Sequence, residues 1–282
     1  MQFAKPTYNA SLTTKFYDSY GAREWNRLDN GLANRVQVVT HRAMLEQFVK
    51  AGDRVLEIGA GPGRFTIELA RLGATITVAD ISEEQIRLNK DKVAEHGIGA
   101  RVTGWHQADI CDLSAWSDGA FDVVVCFGGA IGCVLDKADQ GMAELLRVTR
   151  SGGCLLVSVT SRYGFLRCLM PEAMKFVAEN PLFASFLDAS VQTGDDLGFG
   201  RELQLPSHLY SWSELGELIS RHGGKVVAGS AANFLSIDVR NGDVILANDE
   251  LLQSFLRWEL AACREPGAFD GGTHIIAAAE KS

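Results

Sequence analysis

Residues 55–70 read V-L-E-I-G-A-G-P-G-R-F-T-I-E-L-A, and this stretch restricts the fold more than any other feature of the chain. A short apolar run (Val55, Leu56, Ile58) meets glycines at 59, 61 and 63, and a helical pattern starts at once. That predicts a strand, a tight turn and a helix. Glycine adopts backbone angles closed to other residues and lets the main chain approach a ligand closely. The helix start adds unpaired N–H groups and a partial positive charge. Spacing then decides among nucleotide-like ligands. A dinucleotide fingerprint needs a third glycine three residues after the second, where Arg64 stands. A P-loop needs Gly-Lys-Ser or Gly-Lys-Thr, and neither follows.

What remains is Glu57 followed by Gly59, Gly61 and Gly63 at alternate positions, a pattern that resembles motif I of the class I S-adenosylmethionine (SAM) dependent methyltransferases. The sequence downstream keeps that family's order. A strand over 74–79 closes with Asp80, and Ser82 with Gln85 makes a capping box that opens a helix. A carboxylate at the end of a second strand is placed to accept hydrogen bonds from ribose hydroxyls. Its plainer reading is a helix-start carboxylate favoured by the dipole. Strands over 101–106 and 121–127 are followed by Asp109-Ile110 and by Gly128. The resemblance implies that Asp109 meets the adenine amino group, that Ile110 packs on the ring, and that the backbone at Phe127-Gly128 meets the methionine end. Ala60 within the loop and Ile81 beside Asp80 complete the implied cofactor set. The stretch Phe16-Tyr17-Asp18-Ser19-Tyr20 is similar to the opening helix of many small-molecule methyltransferases, where a tyrosine closes over the cofactor; this implicates Tyr20.

The rest of the chain supplies the frame. Helices are expected over 13–27, 35–49, 137–150 and 211–222, and strands over 153–160, 225–232 and 273–279. Uninterrupted apolar strands separated by helices point to an α/β fold with a parallel sheet covered on both faces. The resemblance implies a Rossmann-like seven-stranded sheet whose last strand runs antiparallel. In such a sheet ligands sit beyond the carboxyl ends of the strands. Two connections leaving those ends, 161–210 and 233–272, far exceed the usual length. The expected organisation is an N-terminal helical cap segment (1–50), a SAM-binding domain (51–160 and 211–282), and a lid insertion (161–210), with 233–272 joining the cap.

Methyl transfer asks mainly for alignment and exclusion of water, but a hydroxyl or protonated amine acceptor also needs a base, for which histidine is the usual choice. His96 and His222 each close a helix ahead of a glycine, His41 lies inside an N-terminal helix, and His106 precedes Asp109. His208, with Tyr210 two residues on, opens the helix after the lid, and His274 begins the last strand; these three are the catalytic candidates. For His208 an anchoring hydrogen bond competes with catalysis, and for His274 a bond to a neighbouring loop does. In the lid, Leu166, Leu169, Met170, Met174, Phe176, Val177, Leu182, Phe183, Phe186 and Leu187 fall on helical spacings. They read as a small subdomain core, as the lining of a pocket for an apolar or aromatic acceptor, or as a homodimer face. Asp195-Asp196, beside Gly194 and Gly198, reads as a turn more readily than as a metal site.

Composition bounds the function. With 27 Lys+Arg against 35 Asp+Glu, the net charge is -8, and no basic stripe suggests a nucleic-acid partner. Six cysteines without C-x-x-C spacing suit a reducing cytoplasm. No apolar stretch approaches membrane-spanning length, and residues 1–6 do not read as a signal peptide. Phe127-Gly128-Gly129-Ala130 stands where amino-methylating DNA enzymes carry Asp/Asn-Pro-Pro-Tyr, no Pro-Cys pair suggests cytosine C5 chemistry, and no acidic triad suggests a catechol-type magnesium site. The nearest resemblance is to ubiquinone/menaquinone-biosynthesis-like and natural-product methyltransferases. It implies SAM as cofactor, S-adenosylhomocysteine as product, no metal, and a small-molecule acceptor methylated on O, N or C. Two rivals stand beside this: a SAM-binding protein of the same fold without methyl transfer, and a nicotinamide oxidoreductase, which Arg64 disfavours.

Overall fold

Seven strands form one sheet in the computed structural model, which describes residues 5–180, 182–197 and 205–282. In chain order they are β1 (Arg54–Ile58), β2 (Thr75–Asp80), β3 (Val102–Gln107), β4 (Phe121–Cys126), β5 (Thr149–Thr160), β6 (Gly224–Ala231) and β7 (His274–Lys281). Their spatial order is β3-β2-β1-β4-β5-β7-β6. β7 runs antiparallel to both β5 and β6, and the other neighbouring pairs are parallel. Successive side chains of a strand face opposite sides, so each strand feeds two apolar layers. Leu56, Ile58, Val124, Leu155 and Ile275 pack on one face with Met142, Leu145, Leu215 and Ile219. Val55, Val123, Val125, Leu156 and Ile276 pack on the other with Met44, Leu45 and Leu69. Burying each such side chain stabilises the fold by roughly 1.5–3 kcal/mol. This two-sided cover is why the strands read as continuous apolar runs.

The N-terminal segment is two helices rather than the single one expected over 13–27. α1 (Ala10–Tyr20) stops at Gly21, whose φ of 53° lies in the left-handed region, and α2 (Arg23–Arg27) follows. α3 (Gly31–Phe48) then packs on the sheet. α1 docks on the start of α5 (Glu83–Glu95): Ser82 Oγ donates to Asp18 at 2.6 Å while accepting the Gln85 N–H, and the Gln85 amide donates to the carbonyls of Tyr17 and Gly21.

Of the two long excursions, 161–210 contains α6 (Arg162–Glu179) and α7 (Leu182–Thr193). Leu166, Ala173, Phe183 and Leu187 form a small core there with Leu169 and Val177, while Met174, Phe176 and Leu182 are exposed. Asp195-Asp196, read from sequence as a turn, pairs instead as a two-residue ladder with Ser207–His208; Gly198 lies outside the described residues. The second excursion carries α8 (Gly242–Leu246) and α9 (Asp249–Cys263). Buried Glu259 on α9 accepts from the amides of Phe234, Leu235 and Ser236, which fixes the exit from β6. Among the described residues, no helix is long and apolar enough to cross a membrane, and no His, Cys, Asp and Glu cluster has metal-site geometry.

Candidate functional site

A cavity of roughly 700 Å³, open mouth included, runs along the carboxyl ends of β1, β2 and β4. One wall is the sheet: Ile58, Gly59, Gly61, Asp80, Ile81, Asp109, Ile110, Phe127 and Gly128. The facing wall comes from the N-terminal helices, with Tyr8, Thr13, Tyr17, Glu24 and Arg27.

The glycine loop is unsuited to side chains. Gly59, Gly61 and Gly63 have φ of 69°, 53° and 97°, angles that would strain any side chain. A Cβ on Gly63 would come to 3.0 Å of the Asn89 side chain, and one on Gly59 to 3.2 Å of Ala130. Gly63 caps α4 (Arg64–Arg71) and does not face the cavity. Arg64, in the place of the missing third glycine, lies over the Trp25 ring at 3.8 Å and donates to Trp25 and Asp29, tying α4 to the N-terminal wall.

Glu57 supports the loop from behind. Its carboxyl ends a relay in which the Trp105 indole donates to Asn89, Asn89 to Thr66, and Thr66 to Glu57 at 2.6 Å. Burial pushes its pKa up to about 8 against the Thr66 bond, with the charge of Asp80 adding to the rise. Asp80 accepts from the amides of Gly61 at 2.8 Å and Ser82 at 2.9 Å. Burial lifts its pKa to about 6, opposed by those donors and reinforced by Glu24. Asp109 accepts from the Cys111 amide and from the Tyr8 hydroxyl, both at 2.8 Å. Gln85 Oε1 is buried without a partner on the same wall, and a Cβ on Gly61 would lie 3.9 Å from it.

The residues expected at the cofactor divide accordingly. Gly59, Gly61, Asp80, Ile81, Asp109, Ile110, Phe127 and Gly128 line the cavity; Glu57, Ala60 and Gly63 stand behind it. Tyr20 does not line it: its ring stacks on Phe16 beneath Arg23, and Tyr17 faces inward instead. Glu24 sits beside Gly61 and is held by Arg27 at 2.8 Å.

Of the three catalytic candidates, His208 and Tyr210 come together away from the cavity, and His274 stands apart. Nδ1 and Nε2 of His208 meet Asp195 at 2.9 Å and Glu214 at 2.6 Å, and Arg162 closes the cluster on Glu214. Burial opposes charge on His208, but the two carboxylates outweigh it and raise its pKa. Tyr210 is buried in the main core with its ring edge-on to His208. Neither lines the cavity. His274 does not line it either, but its Nδ1 meets the Gln37 amide of α3. Sequence reading passed over Tyr8, Gln37 and His41. Gln37 and His41 share an i, i+4 face of α3, a spacing that also describes core positions. Tyr8 precedes the Asn9 cap and carries no local signal.

Residues 55–153 match the family model of the methyltransferase domain. Over 156 residues the chain is 31% identical to a demethylmenaquinone methyltransferase of Clavibacter sepedonicus, covering 52% of this chain and 61% of that protein. Over 111 residues it is 35% identical to methyltransferase GfsG of Streptomyces halstedii, covering 39% and 38%. The chain thus spans about 38–61% of the length of these curated relatives. The fold is similar to that of the [4+2]-cyclase SpnF, with a TM-score of 0.64 at 17% identity over 99% of both chains. It is also similar to that of a 1,6-didemethyltoxoflavin-N1-methyltransferase of Burkholderia thailandensis, solved with 1,6-didemethyltoxoflavin and S-adenosylhomocysteine bound. There the TM-score is 0.59 at 15% identity, over 99% of this chain and 93% of that one.

Proposed function

We propose that this chain, a class I SAM-dependent methyltransferase by its domain and its fold, transfers a methyl group to O, N or C of a small, largely apolar or aromatic metabolite. One observation carries the reading: Asp80 and Asp109, from the ends of neighbouring strands, face a single cavity together with the glycine loop. In this reading Asp80 receives the ribose hydroxyls, Asp109 the adenine amino group, and Ile81 and Ile110 the faces of the ring. Gln85 Oε1, buried and unpartnered, fits such a ligand because a bound hydroxyl or ammonium would satisfy it. Glu24 and Arg27 present opposite charges to a methionine zwitterion beside Gly59, Gly61 and Gly128.

When bound, SAM would supply a methyl group to an acceptor lone pair, the methyl–sulfur bond breaking with its electrons left on sulfur and S-adenosylhomocysteine departing. The chain's own residues align the two molecules and exclude water. In this reading the cap comprises the described parts of residues 1–50 and of the 161–210 and 233–272 excursions. His208 anchors the base of the 161–210 segment through Asp195 and Glu214, and the Tyr210 carbonyl does so by accepting from the Arg162 amide. The unpaired cysteines suit a reducing cytoplasm.

The test is a calorimetric titration with S-adenosylhomocysteine, with NAD as control, followed by labelled SAM and fractionated metabolite extract. Binding of S-adenosylhomocysteine alone supports the cofactor, and its absence ends the reading. Binding without turnover on any fraction moves support to a SAM-binding protein of this fold with other chemistry, of which a [4+2]-cyclase is an instance.

A further inference from the structure

Where α3 meets the start of β7 lies a polar seam that the cofactor carboxylates do not use. His41 is 2% exposed, and its Nδ1 faces the carbonyl of Gln37 at 2.7 Å. A carbonyl only accepts, so Nδ1 carries the proton and Nε2 keeps its lone pair. That Nε2 is buried and has no hydrogen-bond partner. Buried polar atoms are nearly always paired, so an orphan of this kind asks for a ligand atom. The Gln37 amide nitrogen meets Nδ1 of His274. Thr273 Oγ1, whose own proton goes to Asn233, lies 3.3 Å from the same nitrogen, but the amide nitrogen is the nearer neighbour and only donates, so Nδ1 of His274 accepts from it and the ring proton resides on Nε2. A single helix residue therefore sets both tautomers, leaving a lone pair on one imidazole and an N–H on the other.

The seam adjoins the cavity at its Phe127–Gly128 end. Phe127, a wall residue, stands edge-on to the His41 ring at 4.7 Å, and Phe65 tilts against that ring at 5.2 Å. Arg27, another wall residue, acts electrostatically on both imidazoles, and His274 also senses His41. Thr160, opposite His274 in the ladder, lies 3.4 Å from where a Cβ on Gly129 would stand.

We infer that this seam is the acceptor subsite and takes a neutral hydroxyl, whose O–H donates a hydrogen bond to His41 Nε2 and whose oxygen accepts one from the N–H of His274. The inference rests on the methyltransferase reading and narrows it to acceptors with an uncharged O–H near the transferred methyl. A hydroxyl is at once donor and acceptor, which is the pair of complements the two tautomers present. A protonated amine fits poorly. It would meet two imidazoles held neutral by burial, with pKa values of about 4 and about 3, beside a guanidinium whose carboxylate partner Glu24 is already engaged.

Phenol and anisole are matched probes, alike in ring but only one with an O–H. Each is titrated into wild type, His41→Phe and His41→Gln saturated with S-adenosylhomocysteine. Wild type is expected to prefer phenol by about tenfold, the worth of one hydrogen bond near 1.4 kcal/mol. His41→Phe should abolish the preference, and His41→Gln, whose Oε1 accepts, should restore part of it. Equal behaviour of wild type and His41→Phe, including no binding to either, overturns the subsite. If His41→Phe does not fold, His274→Leu makes the same comparison by removing the donor half. S-adenosylhomocysteine binding is read separately on each protein. Its failure on wild type would end the cofactor reading, while the phenol comparison, run without it, still decides the subsite.

Discussion

The hydroxyl of Tyr8 donates to Oδ2 of Asp109 at 2.8 Å, closing one end of the cavity with residues 101 positions apart in the sequence. Tyr8 is held there by its own amide, which donates to Asp136 at 2.7 Å. The N-terminal wall is thus tied to the sheet by the very carboxylate proposed for adenine. Tyr8→Phe removes one bond to a charged group, so affinity for S-adenosylhomocysteine should fall roughly tenfold to a hundredfold. Protease sensitivity around residues 5–20 should rise with it. Unchanged affinity and an unchanged digestion pattern would show that Tyr8 merely rests on the site.

Asp80 carries the ribose assignment. Asp80→Ala should weaken S-adenosylhomocysteine by about 1.5–3 kcal/mol in calorimetry, the scale of a hydrogen bond to a charged group. The carboxylate form is needed, and in the fold it gains its proton near pH 6. Affinity should therefore decline as pH drops through about 6, and the decline should vanish in Asp80→Asn. A folded Asp80→Ala protein with wild-type affinity would sink the assignment.

Glu57 makes the fold sensitive to base. Its ordinary value is 4.5 and its folded value about 8, so between them the native state holds more protons than the unfolded chain. Stability then falls as pH rises through that window, by a few kcal/mol in order of magnitude. Glu57→Gln keeps an acceptor for Thr66 and removes the titration. Its melting temperature should vary less than wild type from about pH 5 to about pH 8. Parallel curves for the two proteins would contradict this.

The acid side is governed by the two seam histidines. His41 and His274 fall from an ordinary 6.5 to about 4 and about 3, so the unfolded chain takes up protons first as pH drops. Stability is lost progressively below about pH 6.5. His41→Gln should move the midpoint of acid unfolding to lower pH, as followed by circular dichroism. A midpoint that stays put would place the acid sensitivity elsewhere.

His208 titrates the other way. Its carboxylate partners raise its pKa despite burial, so its contribution is full below 6.5 and fades as pH climbs past the folded value. His208→Gln is expected to lower thermal stability at pH 6 by about 1–3 kcal/mol, the cost of leaving a buried polar partner unpaired. Binding of S-adenosylhomocysteine should be retained. A loss of that binding in a folded variant would draw His208 back to the site.

The sheet half of the site is legible in the sequence because its determinants are local. A glycine at every second position dictates the loop, and Asp80 and Asp109 follow their strands within a residue or two. The facing wall is not local. Tyr8 meets Asp109 and Asp136, and Asp18 meets Ser82, across separations of 64–128 residues that no periodicity encodes. Tyr20 and Tyr17 differ by less than one helical turn, and only the packing of α1 on α5 decides which ring turns inward. His41 looks like any apolar-face residue of a helix; what marks it is an unpaired nitrogen, which exists only once Phe65 and Phe127 have closed around it. His208 misleads for the converse reason. It precedes a helix at the right end of the sheet, but two acidic side chains claim it first.

The reversed strand β7 gives the molecule a division of labour. Its neighbours reach the ligand edge with their last residues, whereas β7 reaches it with its first, His274. The chain ahead of it, 233–272, is consequently threaded in at that edge, while the ladder with β5 and β6 depends only on what comes after. Exchanging that one segment would recut what borders His274 and leave the Asp80–Asp109 half as it stands. Under the function proposed above, a lineage or a protein engineer could change what is modified without renegotiating how the donor is held.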